Sequence, residues 1–129
     1  MVARSGTAIM DALGLGAGPG VVRGRALLVT GDVHDSELLR APVRANPAVL
    51  ELTSSSIRTG ERGDDLREWV PGSQVWAVQA DAFAAITVDV RGPGDGAITL
   101  EARGADGGLL HARGTPCRTV WNLDDGALS

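Results

Sequence analysis

The stretch "VTGDVHDS", residues 29–36, sets a carboxylate and an imidazole two positions apart, directly after an apolar run. In extended backbone the side chains repeat with a period of two, so Asp32 and His34 would emerge on the same side. A carboxylate with an imidazole suits a divalent or trivalent first-row metal, whereas carboxylate oxygens alone favour magnesium or calcium. Gly31 allows a tight bend that lets the backbone approach a ligand. The same residues also read as a plain turn, because aspartate after glycine commonly bonds its own backbone and an exposed histidine needs no role. Two ligands do not hold a catalytic metal tightly, since such sites usually use three or more protein groups. The residues alone leave both readings open.

Other groups with chemical potential are scattered. His111, in "GLLHARG", falls on an expected strand far along the chain and reads as a solvated histidine. Asp64 and Asp65 with Glu61 and Glu68 could attract calcium, but their spacing fits no EF-hand loop, so a solvated charged loop is expected. Trp69, Trp76 and Trp121 could line a sugar-binding face; as core and turn anchors they need no ligand. Ser54, Ser55 and Ser56 lack the Gly-x-Ser-x-Gly elbow of a serine hydrolase. Cys117 is the only cysteine, which excludes an intrachain disulfide and a Cys-based zinc site, and it reads as an inert, partly buried thiol. The glycines of "GLGAGPG", residues 14–20, resemble a phosphate-binding loop, yet such a loop follows a strand and precedes a helix. Here the order is reversed, so the segment reads as a flexible connector.

The elements that must carry these groups are mostly strands. "ALLVT", Ala26 to Thr30, is read as a buried central strand, and "AVLELTSSS", 48–56, as a second one. Between them "GDVHDSELLRAPVRANP" is read as a polar loop with one helical turn around Glu37–Arg40, halted by Pro42. Residues 3–13 and the vicinity of Asp64–Trp69 could form short helices. From residue 81 onward the pattern is strand, turn, strand, turn, strand, with "GPGDG" and "GADGG" as the turns and "CRTVWNL" as a last strand. That region is expected to be an antiparallel meander with one buried and one wet face.

Composition sets the limits. The 129 residues suffice for one domain with a core, and no sharp boundary divides them. A hydrophobic share of 43% is too high for a disordered chain. A net charge of −4, with twelve arginines and no lysine, argues against broad binding to nucleic acid or an anionic membrane surface. No apolar run approaches the ~18 residues of a membrane span, and Asp11 with the early glycines interrupts any signal-peptide core. A cytoplasmic location is therefore the expectation.

Three blocks in order across residues 26–113 resemble the PhoD-like metallophosphoesterases, alkaline phosphatases and phosphodiesterases of the calcineurin-like superfamily. "LLVTGDVHDSELL" is similar to the family's strand running into Ser-Gly-Asp-Val-His: Thr30 stands for the serine, Gly31, Asp32, Val33, His34 and Ser36 match, and Asp35 departs. "VLELTSSSIRTG" is similar to a family strand ending Leu-Thr-Ser-Ser with an arginine soon after, and "AFAAITVDV" with "ITLEARGADGGLL" resembles its C-terminal meander.

The resemblance implies a β-sandwich whose loops hold two metals (iron, manganese, zinc or calcium), with Asp32 and His34 as ligands. Two such metals, about 3.5–4 Å apart, activate a hydroxide and neutralise phosphate oxygens. Arg58 would approach a phosphate, although an arginine there also reads as solvent-facing or ion-paired. The family's upstream ligand blocks have no counterpart in residues 1–25, and there is no tyrosine to serve as a ligand. The expectation is a mostly β (α+β) chain: a partial metallophosphoesterase-type sandwich with a C-terminal meander, equivalent to the C-terminal half of such an enzyme. It would hydrolyse phosphate esters only when another polypeptide supplies the missing ligands, and be inactive alone. The alternative is a non-catalytic β module that binds or assembles, with a complementary chain or a second copy covering its exposed strand edges.

Overall fold

The computed structural model describes residues 25–31, 35–40, 48–54 and 72–129. These residues form nine strands: β1 (Ala26–Thr30), β2 (Ser36–Arg40), β3 (Val49–Thr53), β4 (Gln74–Val78), β5 (Ala82–Gly92), β6 (Asp95–Gly104), β7 (His111–Ala112), β8 (Thr115–Pro116) and β9 (Arg118–Asn122). The described residues contain no helix, and so none long and apolar enough to cross a membrane. The helices expected at residues 3–13 and near 64–69, and the connector at 14–20, lie outside the described residues.

The first sheet has the order β1-β3-β2-β4, with β1 parallel to β3 and the other pairs antiparallel. The second is the antiparallel set β5-β6-β9, which holds the first two and the last of the expected meander strands, while the one expected around His111 is outside it. β7 and β8 make a small separate hairpin. Leucines two apart on a strand share a face, so Leu50 and Leu52 of β3 and Leu38 of β2 all point to one side. They meet Trp76 from β4, Leu100, Ala102 and Trp121 from the other sheet, and Cys117 just before β9 in a single core. The two sheets are thus layers packed over shared apolar side chains.

On the far side of the second sheet the buried carboxylate of Glu101 is bracketed by Arg103 at 2.9 Å and Arg118 at 3.6 Å. Arg118 stands directly across from Glu101 in the β6–β9 ladder. The expected wet face is thus half-buried along β6 and β9, with Arg118 exposed. The outer half of β5 breaks the expected pattern, because Ile86 to Arg91 are exposed on both faces.

Two local expectations are corrected. Glu37–Arg40 is not a helical turn but most of β2, held because Leu38 stands opposite Leu52 on one side and Trp76 on the other. β1 is not a central strand; among the described residues it is the edge of its sheet, with Val29 59% exposed. Its apolar run serves two faces: Leu27 packs on the main core, while Ala26 and Leu28 pack with Ala48 and Val49 on the other side. A further strand, β4, runs through "QVWAV" and brings Trp76 into the core.

One buried hydrogen bond joins the layers: Trp76 Nε1 donates to Thr119 Oγ1 at 3.1 Å. Thr119→Val keeps the shape and removes the acceptor, leaving an indole N–H buried without it. A loss of about 1–3 kcal/mol is expected in chemical denaturation. In a cycle with Trp76→Phe, the double variant should be less destabilised than the sum of the singles by about 1 kcal/mol. Additive losses would mean that the bond contributes nothing to joining the sheets.

Candidate functional site at the ends of the parallel strands

β1 and β3 run side by side in the same direction and finish level, with Thr30 paired to Thr53. Beyond the pair, the Ser54 N–H donates to the Thr30 carbonyl at 3.0 Å. The chain therefore leaves both strands at adjacent points on one edge of the sheet. The first departing segment carries Asp32 and His34, and the second carries Arg58. Segments leaving adjacent rigid strands are a common way for a scaffold to present binding groups. Asp32, His34 and Arg58 themselves lie outside the described residues. Gly31 is described, and it has no left-handed backbone; a Cβ there would meet Ser54 O at an ordinary 3.8 Å. The fold does not demand glycine at that bend.

Next to this exit, the face of the first sheet away from the core carries a row of polar groups. The hydroxyls of Thr30 and Thr53 share a hydrogen bond of 2.8 Å, and Thr30 Oγ1 donates to Glu51 Oε1 at 3.4 Å. Gln74 Nε2 donates to Glu37 Oε2 at 3.4 Å. Burial pushes the Glu37 carboxyl above its ordinary range, the negative charges of Asp35 and Glu51 add to that push, and the Gln74 hydrogen bond opposes it. Asp35 Oδ1 and Glu51 Oε2 are shielded from solvent and have no hydrogen-bond partner among the described residues. The patch is thus rich in half-buried negative charge, which favours a proton or a cation nearby.

That electrostatic state is measurable. A carboxyl raised by folding binds its proton more tightly in the folded chain. Its contribution favours folding below the ordinary carboxylate range and is lost as pH rises through the folded value. Glu37→Gln keeps the shape and removes the charge. The variant is expected to melt about 1–3 °C higher than the parent near pH ~7, with the gap closing towards pH ~4. A variant less stable near neutrality would mean that Glu37 is held as a favourable carboxylate.

Elsewhere the candidates separate. His111 is exposed on β7, as expected, and with Arg113, Trp76 and Gln74 it lines an open cleft of about 450 Å³ between β4 and the β7–β8 hairpin. Trp76 and Trp121 are buried core residues, as expected of anchors, while Trp69 lies outside the described residues. Ser54 Oγ accepts the Ala84 N–H at 3.2 Å and so ties the end of β3 to β5. Ser55, Ser56 and the acidic residues Glu61, Asp64, Asp65 and Glu68 are outside the described residues. Cys117 is fully rather than partly buried, and burial pushes its thiol up, which disfavours the reactive thiolate. No group of three His, Cys, Asp or Glu side chains able to hold a metal occurs among the described residues.

Asp35, Glu37, Glu51 and Gln74 did not emerge from the sequence as a group. The available signal was the period-two setting of Glu37 and Glu51 among leucines, which places both on the face opposite Leu38 and Leu52 once they are read as strand residues. No family model, curated protein or solved structure matches the chain.

Proposed function

We propose that the chain is the C-terminal portion, or a degenerate form, of a PhoD-like metal-dependent phosphoesterase. Asp32 and His34 are its share of the metal ligands, and Arg58 is a phosphate-facing arginine. The observation that carries this reading is the level, parallel ending of β1 and β3, which starts the two candidate segments side by side. The half-buried carboxylates behind that edge support a cation there. The described residues offer no trio, and the resemblance supplies only Asp32 and His34, two ligands where a catalytic metal usually takes three or more. Phosphate-ester hydrolysis therefore belongs to an assembly in which a complementary polypeptide supplies the missing ligands.

Elemental mass spectrometry of the desalted chain, alone and co-purified with an N-terminal polypeptide bearing the missing ligand blocks, tests the reading. The isolated chain should keep well under about one metal per molecule, and the assembly should approach the family's pair. Asp32→Ala/His34→Ala should abolish retention and hydrolysis of a generic phosphodiester by the assembly. Metal retention that ignores the double substitution, or an assembly that neither keeps metal nor cleaves the ester, would refute the proposal.

A second reading, a non-catalytic β module that assembles with other chains, is favoured by one observation: the valines of the outer half of β5 are more than half exposed. Under that reading the double substitution changes neither metal content nor assembly.

A further inference from the structure

The exposed half of β5 combines two features with one consequence. Ile86, Val88 and Val90 lie on one face, 40%, 59% and 63% exposed, continuing the row that includes the buried Leu100 across the ladder. Among the described residues β5 pairs with β6 alone, so its other side is a free edge. The direction of the backbone groups on that edge follows from Ala84, whose N–H donates to Ser54 Oγ rather than to β6. Backbone groups alternate along an antiparallel strand, and the β5–β6 register is unbroken from Ala82 to Val90. Ile86, Val88 and Val90 therefore turn their N–H and C=O groups outward as well. The three residues with bare apolar side chains are also the three with unpaired backbone groups.

We infer that this edge pairs with the same edge of a second copy of the chain, antiparallel, about a two-fold axis at Val88. In that register Val88 faces its own counterpart and Ile86 faces Val90 of the other copy. The outward groups of all three residues then find partners, and the apolar ridge meets itself. On the opposite face Thr87 stands across from Asp89, an arrangement in which the hydroxyl can donate to the carboxylate. Moving the axis by one residue to Asp89 would set two aspartates face to face, which is unfavourable. β5 contains no proline or lysine, the residues that commonly block such pairing, and Asp89, the charge within its regular register, is on the face away from the ridge. The inference does not rest on the phosphoesterase reading, since it invokes neither Asp32 nor His34.

One strand pair buries less than the ~800 Å² per partner of a standard interface, so a dissociation constant on the order of 10–100 µM is expected. Sedimentation velocity across that range should show the wild-type chain moving from its 13.3 kDa monomer towards a dimer. Val88→Lys should weaken the association at least about tenfold while leaving circular dichroism unchanged. A second variant keeps the test independent of the lysine's effect on folding. Cys117 is buried, so Val88→Cys would introduce an exposed thiol at the axis, where paired Cα atoms lie about 5.5 Å apart, within disulfide reach. Under mild oxidation it should form disulfide-linked dimers much faster than Val29→Cys, which is equally exposed on the edge of the other sheet. A wild-type chain that stays monomeric throughout, association indifferent to a folded Val88→Lys variant, or equal crosslinking at the two positions would overturn the inference. Metal content would be untouched by any of these results, so the two proposals fail separately.

Discussion

Trp121→Ala is expected to remove about 3–5 kcal/mol of stability, the largest loss for any single truncation in the core. Trp121 heads the largest side chains that are fully buried. It stands opposite Ile98 in the β6–β9 ladder, and its backbone bridges to Leu128 as the C-terminal residues fold back along β9. It belongs to the core that also contains Leu38, Leu50, Leu52 and Trp76 of the first sheet. Removing the indole therefore opens a cavity between layers, and among the described residues neither layer has another apolar cluster of comparable size to fall back on. A domain of this length has on the order of 5–15 kcal/mol in total, so the variant should be largely molten or unfolded near 37 °C. Urea denaturation followed by far-UV circular dichroism checks this, with dye binding as a probe of exposed apolar surface. Trp121→Phe should cost less, because a ring still fills part of the space. A loss below about 1 kcal/mol for Trp121→Ala would mean that the layers do not depend on a common core.

The contrast between the two sheets shows what local pattern conveys and what it does not. β5 and β6 were legible because both alternate and a glycine-rich turn joins them as sequence neighbours, whereas β9 reaches β6 only past the β7–β8 hairpin. β2 was not. Its Ser-Glu-Leu-Leu-Arg is composed largely of good helix formers, and only the distant Leu52 and Trp76 on either side of Leu38 make it a strand. β1 was recognised as a strand but seated wrongly, because a continuous apolar run suits any strand with two covered faces. Here the run packs on two apolar clusters from an edge position. The same division applies to the site. Asp32, His34 and Arg58 stood out through a short motif, whereas the carboxylates of Asp35, Glu37 and Glu51 gather only after β1, β3 and β2 are in register.

Gly96→Ala should be the most damaging change outside the core, costing about 2–5 kcal/mol. Gly96 has φ +145°, a region L side chains rarely adopt, and it sits where the β5–β6 register shifts between Val90 and Gly92. An added Cβ would lie 2.2 Å from the Asp89 carbonyl oxygen and 2.9 Å from Val90 Cα. Both are backbone atoms of the paired strand, so no rotamer change relieves the overlap and the strands must separate or slip. Gly94, two residues earlier in the same turn, is the natural control: its φ is +66°, but a Cβ there meets nothing within 4 Å. Gly94→Ala should therefore cost only the left-handed backbone penalty of about 1–2 kcal/mol. Urea titrations of the two variants separate close approach from backbone strain, and equal losses would show that the overlap at Gly96 relaxes freely. The consequence reaches beyond stability. Val88 and Val90 are held in line by this end of the hairpin, so Gly96→Ala should also weaken self-association through β5. Gly94→Ala should leave that association near the wild-type level, because the residues from Ile86 to Val90 keep their pairing with β6.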